Sequence, residues 1–425
     1  MRKVYVNGKK EEIPPFPHHK NYVYRSNQFF RPKSLLTHLT IGRFITIKEV
    51  VRGYKYKCSI PRTILIDPTS SCNLKCKGCW AADYAKGDNL SFEKLDDILT
   101  QTERLGILDV QVSGGEPLMR KADLLRLSRK HRKTSFGVFT NATLIDDAFA
   151  EELEKVGNLN MYLSIEGTRE ETDFRRGEGV YDKVVAAMHV LHKRNIGFAF
   201  STCYHAKNYK TIASDEFLDD MRARGAWFGW LFNYVPVGKD ADLSLVCTPE
   251  QRAYVKEKVD EYCVRNKYTI IDFWNNGHTT CGCVAAGTGF LHINAKGDVE
   301  PCAFCHYSDC NINDMSLVEA LQSPFLTKFR SAQPFSDNPL RACPLIDVPD
   351  VIVERINDGG AHSTHYSAPE SADALADKTR QNAEKWQPVA DELLKSLEKR
   401  KISNYNATVK FIRFRKKVTE GRRIR

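Results

Sequence analysis

After Pro61 the chain alternates short apolar runs with helix-like stretches six times, and that rhythm admits few architectures. The strand candidates are Thr63–Ile66, Leu108–Val112, Phe136–Phe139, Met161–Ile165, Gly197–Thr202 and Trp227–Asn233. The helical stretches are Phe92–Leu105, Ala122–Arg132, Asp146–Val156, Tyr181–Arg194, Ile212–Arg224 and Pro249–Asn266. Ser91 and Thr248-Pro249-Glu250 read as helix starts, where a hydroxyl satisfies free backbone N–H groups. Six strand–helix units in series predict an α/β fold. A parallel sheet carries helices outside it, as an open or partial (β/α)6 barrel. In such folds ligands collect at the C-terminal ends of the strands.

Three cysteines sit at the first of those ends. The first strand runs out at Asp67, and Cys72, Cys76 and Cys79 follow in the next loop. A structural zinc wants four ligands. A cubane iron–sulfur cluster has four irons, so three thiolates leave one iron open for a ligand. The N-terminus has no apolar signal-peptide core, and no stretch nears the ~18 apolar residues that span a bilayer. A cytoplasmic protein is expected, and in that reducing compartment the 13 cysteines are not disulfides. They fall into groups, which argues for metal: three at 72–79, six between 281 and 343, and singles at 58, 203, 247 and 263. The net charge is +10, and Lys410–Arg425 is strongly basic. That tail reads as a solvated segment or as an arm for anionic lipid at the inner face of a membrane. Lys33–Arg52 has apolar residues at helical spacing, which suits a helix capping the domain or one lying on a membrane surface. No nucleic-acid partner is expected.

The C-x3-C-x2-C spacing in this position resembles the radical S-adenosylmethionine superfamily; the alternative is a zinc knuckle completed by a distant ligand. Ser113-Gly114-Gly115-Glu116-Pro117, straight after the second strand, looks like that family's GGEP motif. The resemblance implies that Gly114, Gly115, Glu116 and Pro117 hold the methionine amino group of the cofactor. It also implies cofactor contacts from Asn141 at the third strand tip and from Ser164 and Glu166 at the fourth. Asp173-Phe-Arg-Arg176-Gly177 resembles a short family signature, with Arg176 pairing with the cofactor carboxylate. Read without the family, each of these is a tight turn, a helix cap or a loop ion pair. There is one departure: relatives carry an aromatic residue, near adenine, just before the third cysteine, and here that position is Gly78, with Trp80 after the cysteine.

The second cysteine group is Cys281, Cys283, Cys302, Cys305, Cys310 and Cys343. Phe290–Glu300 reads as a β-hairpin turning at Asn294–Asp298, which would bring flanking thiols together. Cys283…Gly297-x4-Cys302 resembles the opening of a SPASM/twitch auxiliary-cluster domain. Six cysteines fall short of the eight that two all-cysteine cubanes need. They allow one complete auxiliary cluster, a second with an open iron, or zinc. His278, His292, His306, His362 and His365 are candidate extra ligands, with His306 the best placed.

The expected layout is a basic, amphipathic N-terminal extension (1–60), a radical S-adenosylmethionine core (61–270), an auxiliary-cluster domain (271–350), and a C-terminal helix with a basic tail (351–425). Residues 1–32 read as irregular and 350–375 as loop-like. Lys378–Lys401 reads as a charged helix broken or kinked at Pro388. The implied activity is reductive cleavage of S-adenosylmethionine at a [4Fe–4S] cluster, giving a 5′-deoxyadenosyl radical that abstracts a substrate hydrogen. No catalytic side chain beyond the cluster ligands is implied, and a small flavodoxin- or ferredoxin-type protein supplies the electrons. The substrate is a lipid, an isoprenoid or a peptide; Trp227, Phe228, Trp230, Phe232 and Tyr234 could line an apolar pocket, at most half of them facing it. The alternative from another class is a non-catalytic iron–sulfur or zinc scaffold.

Overall fold

The computed structural model describes residues 2–6, 9–13, 51–82, 87–238, 241–280 and 282–397. Strands β1 (Arg2–Val6) and β2 (Lys9–Ile13) pair as an antiparallel hairpin, where the sequence had read as irregular. The expected Lys33–Arg52 helix, except for its last two residues, and the Lys410–Arg425 tail lie outside the described residues.

The six anticipated strands are present as β3 (Thr63–Ile66), β4 (Asp109–Val112), β5 (Ser135–Thr140), β6 (Leu159–Ser164), β7 (Phe198–Tyr204) and β8 (Ala226–Asn233). They run parallel and neighbour one another in chain order, as right-handed βα units require. Each buries one face against its helices. The helix Phe92–Leu105 starts at Ser91, whose hydroxyl accepts from the Lys94 N–H, and stops at Gly106 in the left-handed region (φ 72°). It buries Leu95, Ile98, Leu99, Thr102 and Leu105, one stripe at helical spacing. The other face of the sheet gathers Phe139, Tyr162, Ala199, Phe228 and Trp230 into a separate interior cluster.

Both sheet edges are then covered by later chain. Strand β9 (Ile270–Asp272) pairs parallel to β8. Strand β10 (Phe290–Ile293) pairs parallel to β3, and β11 (Val299–Glu300) returns antiparallel to it. The anticipated hairpin is therefore real, and it extends the core sheet to nine strands. Covering both edges leaves no row of free backbone groups on β3 or β8.

The C-terminal region holds more helix than expected. Pro349–Gly359 is helical, with Pro349 in its first turn and Gly360 (φ 67°) ending it. Its apolar residues are Val351, Ile352, Val353 and Ile356, gathered in one short stretch and too few to show a helical period in the sequence. The last helix, Ala372–Ser396, runs through Pro388 without interruption, because Leu375, Ala376, Thr379, Ala383, Trp386 and Ala390 are buried along it. Among the described residues, no helix is long and apolar enough to cross a membrane.

Candidate metal and cofactor centre

The loop after β3 is held from several sides. Gly115 N–H donates to Thr69 O at 2.9 Å and Glu116 N–H to Ser71 O at 2.8 Å, so the turn after β4 grips the base of the cysteine loop. A Cβ on Gly115 would lie 2.5 Å from the Ser71 carbonyl carbon and 2.6 Å from Ser70 O. Gly114 sits at φ +105° with its Cβ position 2.5 Å from Thr69 O. Only glycine permits this approach at both positions. From the other side Lys77 N–H donates to Arg175 O at 2.8 Å. Cys72, Cys76 and Cys79 interact electrostatically with one another on this loop, and Cys72 Sγ accepts from the Leu74 N–H at 3.4 Å. Burial and then Cys76 push the Cys79 thiol up, so a bound cation would have to draw its proton off.

The GGEP-like glutamate is turned inward. Glu116 is buried, and its carboxylate accepts from Leu118 N–H (2.9 Å), Thr140 Oγ1 (2.6 Å) and Asn141 N–H (2.8 Å). Burial pushes its carboxyl upward. Those three bonds tie the second and third strand tips together. Pro117 opens the short 3-10 turn that follows. Asn141 is similarly engaged: its Nδ2 donates to Asn73 Oδ1 at 2.8 Å, and its Oδ1 accepts from Thr143 N–H and Oγ1. It joins the β5 tip to the cysteine loop. Ser164, at the β6 tip, is half-buried, with its backbone paired to Ser201.

Glu166 lies fully buried and anchors two arginines. Arg175 Nη1 donates to its Oε1 at 2.7 Å, Arg176 Nε donates at 2.7 Å, and Arg176 Nη2 lies at 2.5 Å. Its Oε2 accepts from the Cys203 N–H at 3.0 Å. Burial alone would raise this carboxyl, but Arg176 and Arg175 outweigh it and hold Glu166 below the usual carboxylate range. Both guanidinium groups also act on Cys76, and Arg175 and Arg176 pull down the Cys79 thiol. Arg175 was not singled out from the sequence, although it stands beside Arg176. Cys203 read as an inert single, yet its thiol interacts with Arg175 and Cys79.

The departure at position 78 has a structural counterpart. Gly78 adopts φ +61°, and a Cβ there would lie 2.5 Å from Tyr234 Oη, 2.7 Å from Cε2 and 2.9 Å from Cζ. The Tyr234 ring, just past β8, fills the space that a side chain at 78 would take. Its Oη accepts from the Asp242 N–H at 2.9 Å.

In the second group, Cys283, Cys302, Cys305 and Cys343 interact electrostatically with one another. Burial pushes Cys302 up to about 12. Cys343 N–H donates to Asp347 Oδ2 at 2.9 Å, and Asp347 in turn pairs with buried Arg252 at 2.5 Å. Cys310 stands apart: its Sγ points to Ala320 O at 4.0 Å, and its charge partner is Asp309. Cys281 lies outside the described residues. Among the described residues, no three side chains are already drawn into a metal-binding arrangement, so the fit rests on four neighbouring thiols and the soft-ligand chemistry they offer. His306 and His365 are buried against each other, with His306 Nε2 2.7 Å from Ala303 O.

His292 links the two cysteine groups. On β10, its Nδ1 lies 2.6 Å from Glu300 Oε2 and its Nε2 2.9 Å from Asp67 Oδ2, all fully buried. Burial would lower its pKa, but Asp67 and Glu300 push it up to about 10. Trp80, next to Cys79, packs edge-on against His292 (5.8 Å between ring centres) and against Phe304 (6.0 Å), which lies between Cys302 and Cys305. Phe304 meets Trp274 at 5.2 Å, Trp274 meets Phe232 at 6.0 Å, and Phe232 meets Phe139 at 5.7 Å and stacks on Trp230. An aromatic wall thus runs from the sheet's inner face to both cysteine groups. On β8 it is Phe228, Trp230 and Phe232 that join it, as strand alternation demands.

A family model described as the radical SAM superfamily matches residues 66–218, and one described as an iron–sulfur cluster-binding domain, SPASM, matches residues 281–344. An uncharacterized protein of Archaeoglobus fulgidus is 37% identical over 143 residues, which are 33% of this chain and 34% of that protein. The chain thus spans about a third of that relative's length. An AdoMet-dependent heme synthase of Methanosarcina barkeri is 26% identical over 288 residues, covering 61% of this chain and 81% of that one. Among solved structures, SuiB of Streptococcus suis bound to S-adenosylmethionine aligns with a TM-score of 0.59 at 20% identity, over 74% of this chain and 79% of that one. That likeness concerns the fold.

Proposed function

We propose that the chain, whose residues 66–218 and 281–344 match the radical SAM and SPASM models, works as a radical S-adenosylmethionine enzyme with a [4Fe–4S] cluster, S-adenosylmethionine and auxiliary iron–sulfur clusters, that Cys72, Cys76 and Cys79 hold the cofactor-binding cluster, and that the substrate is apolar. When bound, the reduced cluster and S-adenosylmethionine supply a 5′-deoxyadenosyl radical that takes a hydrogen atom from the substrate. The chain's own part is positioning. The backbone of Gly114–Glu116 would hold the cofactor amino group, Ser164 would offer a hydroxyl at the barrel mouth, and Tyr234 packs where relatives carry the aromatic of position 78. Glu116, Asn141 and Glu166 act by holding the strand tips and arginines around the cofactor, as their internal hydrogen bonds support. Cys283, Cys302, Cys305 and Cys343 hold an auxiliary cluster, with Cys281 and Cys310 as further thiols of that region. A flavodoxin- or ferredoxin-type protein delivers electrons.

The observation that carries the substrate class is the aromatic wall from Phe139 and Trp230 through Phe232 and Trp274 to Phe304 and Trp80. It lies beside both cysteine groups and offers an apolar, shape-selective surface. The test uses anaerobically reconstituted full-length protein with dithionite. Wild type should cleave S-adenosylmethionine to 5′-deoxyadenosine and Cys76→Ala should not. A long-chain isoprenoid alcohol in detergent should quench tryptophan fluorescence and a polar hexapeptide should not. Cleavage by Cys76→Ala would overturn the cluster assignment, and the reverse quenching pattern would overturn the substrate class.

A further inference from the structure

We infer that Arg175 and Arg176, mounted on Glu166, are positioning residues that set how easily the metal centre on Cys72, Cys76 and Cys79 is reduced. The inference rests on the reading of that triplet as a cluster site. Two permanent positive charges share one buried carboxylate, and arginine cannot shed its proton in a protein. The pair is buried, so solvent screens it little. Both arginines act on Cys76 and Cys79, whereas the nearby Glu116 carboxyl acts on Cys72 and also on Arg176.

The arrangement is fixed by backbone. Arg175 O accepts from Lys77 N–H, inside the Cys76–Cys79 span, and Glu166 Oε2 accepts from the Cys203 N–H. Of the other ionisable neighbours, burial pushes the Cys203 thiol up to about 11 and holds His205 near 4, so both are neutral at pH 7 and add no charge. The guanidinium charges therefore exceed their local counter-charge on the side of Cys76 and Cys79. Reduction adds one electron to a thiolate-ligated centre that is already negative. Fixed positive charge beside it favours the reduced form, and removing one such charge disfavours it.

The test is a redox titration of the reconstituted full chain followed by electron paramagnetic resonance, without S-adenosylmethionine. The triplet's signal is the one that changes when S-adenosylmethionine is added afterwards. Arg176→Gln should lower the reduced-to-oxidised ratio at a fixed potential about tenfold, a shift of about 59 mV for one electron. Arg176→Lys, which keeps the charge, should leave it near wild type, and Glu166→Gln should shift it the other way. If Arg176→Gln fails to load iron, Arg175→Gln removes the same charge and carries the same reading. An unchanged potential in a loaded Gln variant overturns the inference, and weaker S-adenosylmethionine binding alone would then make Arg176 a cofactor contact. A wild type that loads no cluster on the triplet overturns the cluster reading instead.

Discussion

Replacing Gly115 by alanine tests the close approach on which the cofactor site depends. The new Cβ would stand 2.5 Å from the Ser71 carbonyl carbon and closer still to its oxygen, and ordinary contact begins at 3.4 Å, so the two backbones must part by at least about 0.9 Å. The neighbours are backbone atoms, which cannot swing away as a side-chain tip can. That separation would stretch the Gly115–Thr69 and Glu116–Ser71 hydrogen bonds, now 2.9 and 2.8 Å, past useful length. Two lost bonds cost about 2 kcal/mol, and overpacking adds roughly 1–3 kcal/mol, so about 3–5 kcal/mol is expected. A shift of that size in the cysteine loop should lower 5′-deoxyadenosine formation about 100-fold. Gly157→Ala is the control: unlike Gly115 it occupies the left-handed region (φ +70°), but nothing lies within 4 Å of its Cβ position. It should cost about 1 kcal/mol and leave cleavage unchanged. Denaturant unfolding, iron content and chromatographic product assay read the three quantities. A Gly115→Ala protein as stable and active as Gly157→Ala would refute the close-approach argument.

Three further outcomes are expected. His292 is held up at about 10 against about 6.5 in an unfolded chain, so its stabilisation is complete below about pH 6.5 and is lost as pH rises towards 10. The unfolding free-energy gap between wild type and His292→Gln should therefore narrow from pH 6 to pH 9.5 in urea titrations, and a constant gap would show that the imidazole is not charged. Cys343→Ala should lose auxiliary iron while Cys310→Ala keeps it, because Cys310 points to Ala320 O rather than to the other thiols; equal losses on metal analysis would contradict that placement. Tyr234→Ala should weaken S-adenosylmethionine binding by about tenfold in calorimetry while Tyr234→Phe retains it, consistent with a stacking contribution of ~1.5 kcal/mol. Equal binding by Ala and Phe would remove the ring from the site.

The parallel strands were legible because their signals are local. Thr63–Ile66 is a continuous apolar run ended by Asp67 and Pro68, and the structure begins and ends β3 at the same residues. Gly114 and Gly115 stood out for the same reason, since two glycines after a strand mark a turn that something must approach. The helix Pro349–Gly359 was not legible, because its apolar residues, Val351 to Val353 and Ile356, carry too little periodicity to be seen. The roles of Glu166, Glu116 and Asn141 were legible only in part. Their polarity at the strand tips marks the barrel mouth, but whether each side chain turns to a ligand or to Arg176, Thr140 or Asn73 depends on how the neighbouring strands and loops pack.

The division follows from physics. By itself the sequence determined the order of the βα units, the cysteine triplet at the first strand tip, the GGEP-like turn beside it and the existence of a second thiol group. The triplet and the turn are each written within a dozen residues, each βα unit by its local periodicity, and the second thiol group by its clustering between 281 and 343. Only the tertiary structure decided that Phe290 pairs with Thr63 and that His292 reaches Asp67. The same holds for Tyr234 filling the space at Gly78, and for Arg175 and Arg176 closing on one carboxylate beside the triplet. All but the arginine pair join segments more than a hundred residues apart, and the geometry of every one is set by sheet register and close packing, which no local pattern encodes.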